Sequence, residues 1–317
     1  MKSPHLLAFA AFLAASPASA ADKLTLLLDW YVNPNHGPII VAQQKGLFAA
    51  EGLEVEIVAP SDPSQPPKLV AAGRADIAVD YQSQLYLEHQ EGLPLKRIGS
   101  LLNSPLSCLL VRADGPVQSL EDLKGRTIGY STPGVDEVSV SILLASVDLK
   151  LEDVTMVNVN WALTQALLSG QADAVTGAYR NVEPHEMAAA GVEGRCFFPE
   201  DRGVPPDDDL IFVANLERAS AEDKDRYRRF LKAVGLGALY ILNHPEEAWA
   251  AFASHNPDLD DEANKASWAD TRGRHSLIPS ALDHARYRDF GAWYAAQGMI
   301  REAPPVSAVA VDLNAEE

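Results

Sequence analysis

The sequence predicts an α/β fold of two lobes, each a mixed sheet flanked by helices, with the lobes joined by a two-strand hinge. Three observations predict it. Short apolar runs alternate with helical stretches in a first series, the alternation restarts at Ser119, and a long helical tail follows Leu210–Val213. Alternation of this kind implies parallel strands with helices on both faces.

In the first series, Leu24–Leu28 (LTLLL) reads as a buried strand. A helix opened by Pro38 follows and ends at Lys45-Gly46, where glycine supplies the left-handed cap. Val55–Val58 is a second strand, Pro67–Ala72 a helical turn stopped by Gly73, and Ile77–Val79 begins a third strand. Ile98–Leu102 and Leu106–Val111 are two more extended runs.

In the second series, Ser119 caps a short helix that Gly125 ends. Thr127–Tyr130, Val154–Val159 and Ala174–Gly177 read as strands, with helices over Val135–Val147 and Leu163–Leu168 between them. The tail is helical over Ala221–Leu242, Pro245–Ser254, Asp261–Thr271 and Ser280–Gln297. These readings assign residues 21–112 and 212–317 to lobe 1 and residues 113–211 to lobe 2. The chain would cross between lobes near Arg112–Pro116 and near Asp208–Val213, and a ligand would sit where strand ends of both lobes converge.

Composition narrows the function classes. The start combines Lys2, the apolar run Leu6–Phe12 and the small-residue site Ala18-Ser19-Ala20, the order of a secretory signal peptide. Cleavage near Ala20 would deliver the remaining 317 − 20 = 297 residues to the periplasm. With 44 acidic and 26 basic residues the formal net charge is −18, which repels nucleic acid and anionic lipid. The two cysteines, Cys108 and Cys196, read most simply as separate buried residues, with a disulfide in an oxidising compartment as the alternative.

No catalytic motif stands out. H-E-x-x-H, G-x-S-x-G and a glycine-rich phosphate loop are all missing, and the histidines lack metal-ligand spacing. The acidic run Asp207-Asp208-Asp209 reads as a solvated loop. No cofactor and no metal is expected. The informative segment is Asp29–Pro38 (DWYVNPNHGP), which follows a buried strand and precedes a helix, the position where α/β sheets bind ligands. Trp30 and Tyr31 beside Asn33, Asn35 and His36 suit a pocket both aromatic and polar, although core packing is the alternative for the rings. Tyr81 is a candidate for the same wall or for packing. Ser131, Thr132 and Gly134 lie between a strand and a helix, where free N–H groups could bind a polar ligand group or merely cap the helix. Asp29 is expected to hold the loop by accepting backbone hydrogens.

The run DWYVNPNHGPIIVAQQKGLFAAEGLEVEI, with AAGRADIAV, PLKRIGSLLNSPLSCLLV, SLEDLKGRTIGYSTPG and LYILNHPEEAWAAF, resembles the thiamine-pyrimidine group of substrate-binding proteins. The resemblance covers nearly all of the chain after Ala20. It implies a type II periplasmic-binding-protein-like fold and the solute-binding component of an ABC importer, a monomer that presents a small pyrimidine ligand to a membrane permease. It also implies a ring held between Trp30 and Tyr179, with Glu183 taking the ring's amino group. Residues four apart on a helix share a face, which gives the Tyr179–Glu183 spacing a physical sense.

The family also contains fungal enzymes that make the pyrimidine phosphate. The resemblance puts Asp80 where those enzymes carry a cofactor-binding lysine, and Gln84 at their donor histidine. Aspartate forms no Schiff base and glutamine is no imidazole, so the expectation is a binding protein and not an enzyme. The competing ligands are a sulfonate- or nitrate-type anion and another flat heterocycle such as riboflavin.

Overall fold

The computed structural model describes residues 21–315; the predicted signal peptide, residues 1–20, lies outside the described residues. Among the described residues, ten strands form two five-stranded sheets. They are β1 (Asp22–Leu27), β2 (Leu53–Val58), β3 (Ile77–Asp80), β4 (Lys96–Leu102), β5 (Ser107–Arg112), β6 (Thr127–Tyr130), β7 (Thr155–Asn158), β8 (Ala174–Tyr179), β9 (Gly194–Phe197) and β10 (Leu210–Ala214).

The first sheet runs β2-β1-β3-β10-β4 and the second β7-β6-β8-β5-β9. The two are built alike. β1 pairs in parallel with β2 and β3, and β6 in parallel with β7 and β8. The fourth strand of each sheet, β10 or β5, is antiparallel to both of its neighbours. β5 and β10 are also the strands on which the chain arrives from the other sheet.

Both faces of each sheet are covered, which is why the strands read as continuous apolar runs. Leu26 and Leu28 face a core with Phe48 and Phe230, while Leu27 between them faces one with Tyr86 and Phe290. In the second sheet Leu110 packs with Leu167 and Met187, and Leu109 with Ile128 and Leu144. The long Ala221–Asn243 helix lies so close to the Gly37–Gln44 helix that a Cβ on Gly237 would overlap the Pro38 carbonyl oxygen.

Three expectations are corrected. The chain first passes between sheets at residues 103–106, not at Arg112–Pro116, because β5 pairs with β8 and β9 and belongs to the second sheet. The return lies between Phe197 and Leu210. β9, too short and too mixed in composition to read as a strand, is an edge of that sheet. Its Cys196 is disulfide-bonded to Cys108 on neighbouring β5, with the Cα atoms 5.5 Å apart, so the two are not separate buried thiols. The last long helix is His284–Ala296 and starts later than Ser280, because Asp283 caps it by accepting from the backbone N–H groups of Ala285 and Arg286 at 3.0 and 3.1 Å.

Candidate functional site

A cleft lies between the sheets, and residues from both line it. From the first side come the loop after β1 and the residue after β3. Pro34 opens a single turn, Pro34–His36, capped by Asn33, whose Oδ1 accepts from the Asn35 N–H at 2.9 Å. The Asn33 N–H donates to His36 Nδ1 at 3.2 Å. The proton of a neutral His36 therefore sits on Nε2, which donates to Asp29 Oδ1 at 2.9 Å. The other Asp29 oxygen accepts from the Tyr81 hydroxyl at 3.0 Å. Asp29 thus holds the loop through two side chains, not through the backbone hydrogens expected of it. The tie fixes Trp30, 9% exposed, at the cleft wall, where its ring meets Trp161 of the opposite side edge-on at 4.4 Å between centroids.

The second side supplies the end of β8 and the turn beyond it. Tyr179 closes the strand and Glu183 opens the Glu183–Ala189 helix, so the two do not share a helical face. What joins them is the Tyr179 backbone N–H, which donates to Glu183 Oε2 at 2.7 Å. Burial, with a smaller push from Glu186, drives the Glu183 carboxyl up to about 8. The Tyr179 hydroxyl and Trp30 Nε1 are both buried, the first beside the Asp209 carboxyl and the second beside Tyr31.

The loop between β6 and the Val135–Ala145 helix also lines the cleft, through Ser131 and Thr132. Its N–H groups are not free for a ligand. Those of Ser131 and Thr132 both donate to Asp136 Oδ2 at 2.8 Å, and Gly134 N donates to Glu137. Burial pushes Asp136 up to about 7 against the lowering effect of those two donors. Gly177 makes this packing possible. Its φ is +79°, and a Cβ there would sit 2.7 Å from Asp136 Oδ1.

Of the residues singled out from sequence, Trp30, Asn33, Tyr81, Ser131, Tyr179 and Glu183 line this one cleft. Asn35 and His36 do not. Both are fully buried, and their side chains serve the loop itself and a junction with the opposite side. Asn181 donates to Asn35 Oδ1 at 2.7 Å and to Thr271 Oγ1 at 2.6 Å.

Sequence reasoning missed most of the acidity of the cleft. Its carboxyl groups are those of Asp29, Asp136, Glu183, Glu200, Asp207 and Asp209, and among the described residues no lysine, arginine or histidine lines it. Glu200 is paired with Arg180 at 2.6 Å. The run Asp207-Asp208-Asp209 is not a solvated loop. Asp208 accepts from Ser100, Arg286 and Tyr287, and Asp209 from the backbone N–H groups of Leu106 and Ser107. The available signal was its place directly before the buried strand β10. Phe290, Trp293 and Tyr294, an aromatic wall on the His284–Ala296 helix, were also missed.

With this geometry in hand the chain can be set beside known proteins. The model of the family described as NMT1/THI5 like matches residues 33–248, more than half of the chain. The chain belongs to the NMT1/THI5-like family. A Haemophilus influenzae protein named for thiamine biosynthesis is 45% identical over 299 residues, 94% of each chain. The formylaminopyrimidine-binding protein of Halalkalibacterium halodurans is 33% identical over 250 residues, 79% of this chain and 74% of that one. Fungal relatives are named as synthases: the 4-amino-5-hydroxymethyl-2-methylpyrimidine phosphate synthase of Saccharomyces cerevisiae is 28% identical over 257 residues, 77% of this chain and 74% of its own. Among solved structures, the alkanesulfonate-binding protein of Xanthomonas axonopodis pv. citri superposes with a TM-score of 0.71 at 14% identity, over 93% of this chain and 99% of that one. The fold is that of the periplasmic binding proteins.

Proposed function

We propose that this protein is the solute-binding component of an ABC importer and that it takes an aminopyrimidine precursor of thiamine in the cleft. The observation that carries the reading is the convergence of Trp30 from one side with Tyr179 and Glu183 from the other on one buried cleft. A flat ring stacked on aromatic side chains gains on the order of 1–3 kcal/mol. A carboxyl group at its edge accepts the exocyclic amine and, while protonated, also donates to a ring nitrogen. Closure of the two sides around the ring would offer a permease one closed shape. The protein would be exported to the periplasm and act there as a monomer.

The relative named as a formylaminopyrimidine-binding protein supports this ligand class. The cleft argues against a sulfonate- or nitrate-type anion, because among the described residues no lysine, arginine or histidine lines it and the N–H groups of Ser131 and Thr132 are already taken by Asp136. Synthase chemistry finds little support. At the position of the expected cofactor lysine, Asp80 accepts from the Tyr81 N–H at 2.8 Å, and Gln84 donates to Glu88 at 2.7 Å. Neither Asp80 nor Gln84 lines the cleft.

The test is a melting-temperature panel on purified protein with hydroxymethylpyrimidine, formylaminopyrimidine, riboflavin, taurine and nitrate. A ligand that binds only the folded state raises the melting temperature. A rise with the pyrimidines alone is expected; a rise with taurine or nitrate and none with a pyrimidine would refute the proposal.

A further inference from the structure

The two sides of the cleft are also tied together outside it. The hydroxyl of Tyr31, in the loop after β1, reaches across and donates to Glu186 Oε1 at 3.0 Å. The other oxygen of Glu186 accepts from Thr164 Oγ1 of its own side at 2.5 Å. Among the described residues, Tyr31, Thr164 and Glu186 line a separate crevice with Trp161, and none of the four lines the ligand cleft. Thr164 thus steadies the Glu186 carboxylate for a partner on the opposite side.

The Glu183–Ala189 helix that carries Glu186 lies along this seam. His185 on it stands 3.6 Å from Asp270 of the first side. Asn181, two residues before the helix, makes the buried junction with Asn35 and Thr271. The apolar contacts follow the same plan. Trp30 of the first side belongs to the core that holds Leu163 and Leu167 of the second. Tyr179 and Val182 of the second side belong to the core that holds Leu26 and Phe230 of the first. Each side therefore buries an aromatic ring in the core of the other, and parting them would return apolar surface to water. None of these ties passes through the cleft, so they form whether or not the cleft is filled.

We propose that Glu186 is a latch: by accepting from Tyr31 across the seam it holds the cleft shut without help from a ligand, and entry waits for the latch to open. The proposal rests on the cleft being the solute site, as read above, but not on which solute it takes. Glu186 is a positioning residue that touches no ligand. A phenol keeps its proton at neutral pH, and its bond to a carboxylate is charge-assisted. A bond made only when the sides meet favours the shut form by its own free energy, with or without a guest inside. Its loss therefore speeds entry and exit together and moves affinity less than it moves the exit rate. Loss of a contact to the guest itself quickens exit alone.

Spin labels at Glu56→Cys and Gln171→Cys, two exposed positions on opposite sides, report the separation of the sides in the ligand-free protein with its disulfide intact. The labelled parent should show a dominant short distance. Tyr31→Phe and Glu186→Ala, each verified as folded by circular dichroism, should convert part of it into a longer one. The double variant should open no further than the more open single variant, because both changes remove one bond. Tyr31→Phe leaves the charge of Glu186 beside Glu183, and so separates the tie from the electrostatics of the clamp. In stopped-flow measurements with hydroxymethylpyrimidine, association and dissociation should both be about three- to tenfold faster in either variant. A parent that is wholly open, distances that neither variant moves, or additive effects would overturn the latch. Faster dissociation at unchanged association would overturn it too, since that marks a lost ligand contact. If hydroxymethylpyrimidine did not bind the parent, the pyrimidine reading would fall, and the distances alone would decide the latch.

Discussion

The backbone N–H of Tyr179 donates to the carboxylate of Glu183 at 2.7 Å, so the stacking residue and the acid of the clamp are held in one turn. Glutamine at position 183 keeps an acceptor and the shape of the side chain but loses the charge and the acid proton. Glu183→Gln should therefore weaken pyrimidine binding by about 1.5–3 kcal/mol, roughly ten- to a hundredfold, in isothermal titration, with folding intact.

The same carboxyl makes the stability of the ligand-free protein depend on pH. Its folded-state value, about 8, lies above the ordinary 4.5, so the folded chain holds the proton more tightly than the unfolded chain. That stabilisation is complete below pH 4.5 and is lost as pH rises through 8, by about 1.4 kcal/mol per unit of difference. Asp136, raised by burial to about 7 from 3.8, acts in the same direction. Urea titrations from pH 4.5 to 9 should show declining stability, and Glu183→Gln should flatten the slope above pH 7 while leaving Asp136's share. A wild-type curve that rises over this range would contradict the burial argument.

Asn181 joins the two sides through Asn35 and Thr271, all three fully buried. Asn181→Ala leaves Asn35 Oδ1 without its donor, at a cost of about 1–3 kcal/mol, while Thr271 Oγ1 keeps its bond to the Ser267 carbonyl. The ligand-free variant should open, seen as a larger radius of gyration in small-angle scattering, and should bind ligand more weakly.

Gly177→Ala places a Cβ against Asp136 at a backbone conformation that L residues rarely adopt. It should destabilise the protein by about 2 kcal/mol or more in urea unfolding, combining αL strain of roughly 1–2 kcal/mol with the clash. Gly46, also at positive φ but with nothing near its Cβ position, isolates the strain alone when it is changed to alanine.

The Cys108–Cys196 disulfide closes a loop with a sequence separation of 88. Its removal by Cys108→Ser with Cys196→Ser should lower stability by about 2–5 kcal/mol. The loosening should begin at β9, an edge strand held by β5 alone, and hydrogen exchange across Gly194–Phe197 would detect it.

Much of the architecture was legible because strands buried on both faces leave continuous apolar runs. LTLLL at Leu24 and TIGY at Thr127 need no partner to be recognised as strands. β9 was not legible: GRCF is half-buried at an edge, and only its neighbour β5 makes it a strand. The cleft was legible where a residue type is costly to expose, as with Trp30. It was illegible where meaning depends on contacts distant in the chain. Asp209 grips residues more than a hundred positions earlier, and nothing within Asp207–Asp209 separates a solvated acid from a buried one. The spacing of Tyr179 and Glu183 was suggestive for the wrong reason, since a turn and a backbone hydrogen bond, not a shared helical face, bring them together.

Asp208 and Asp209 are consecutive, yet one is fastened to Ser100 and Tyr287 and the other to the first residues of β5. The outgoing and returning passages are therefore riveted together at a single point on the floor of the cleft. Any rocking of the halves must pivot about that rivet, so a rotation of a few degrees there becomes a wide swing at the rim.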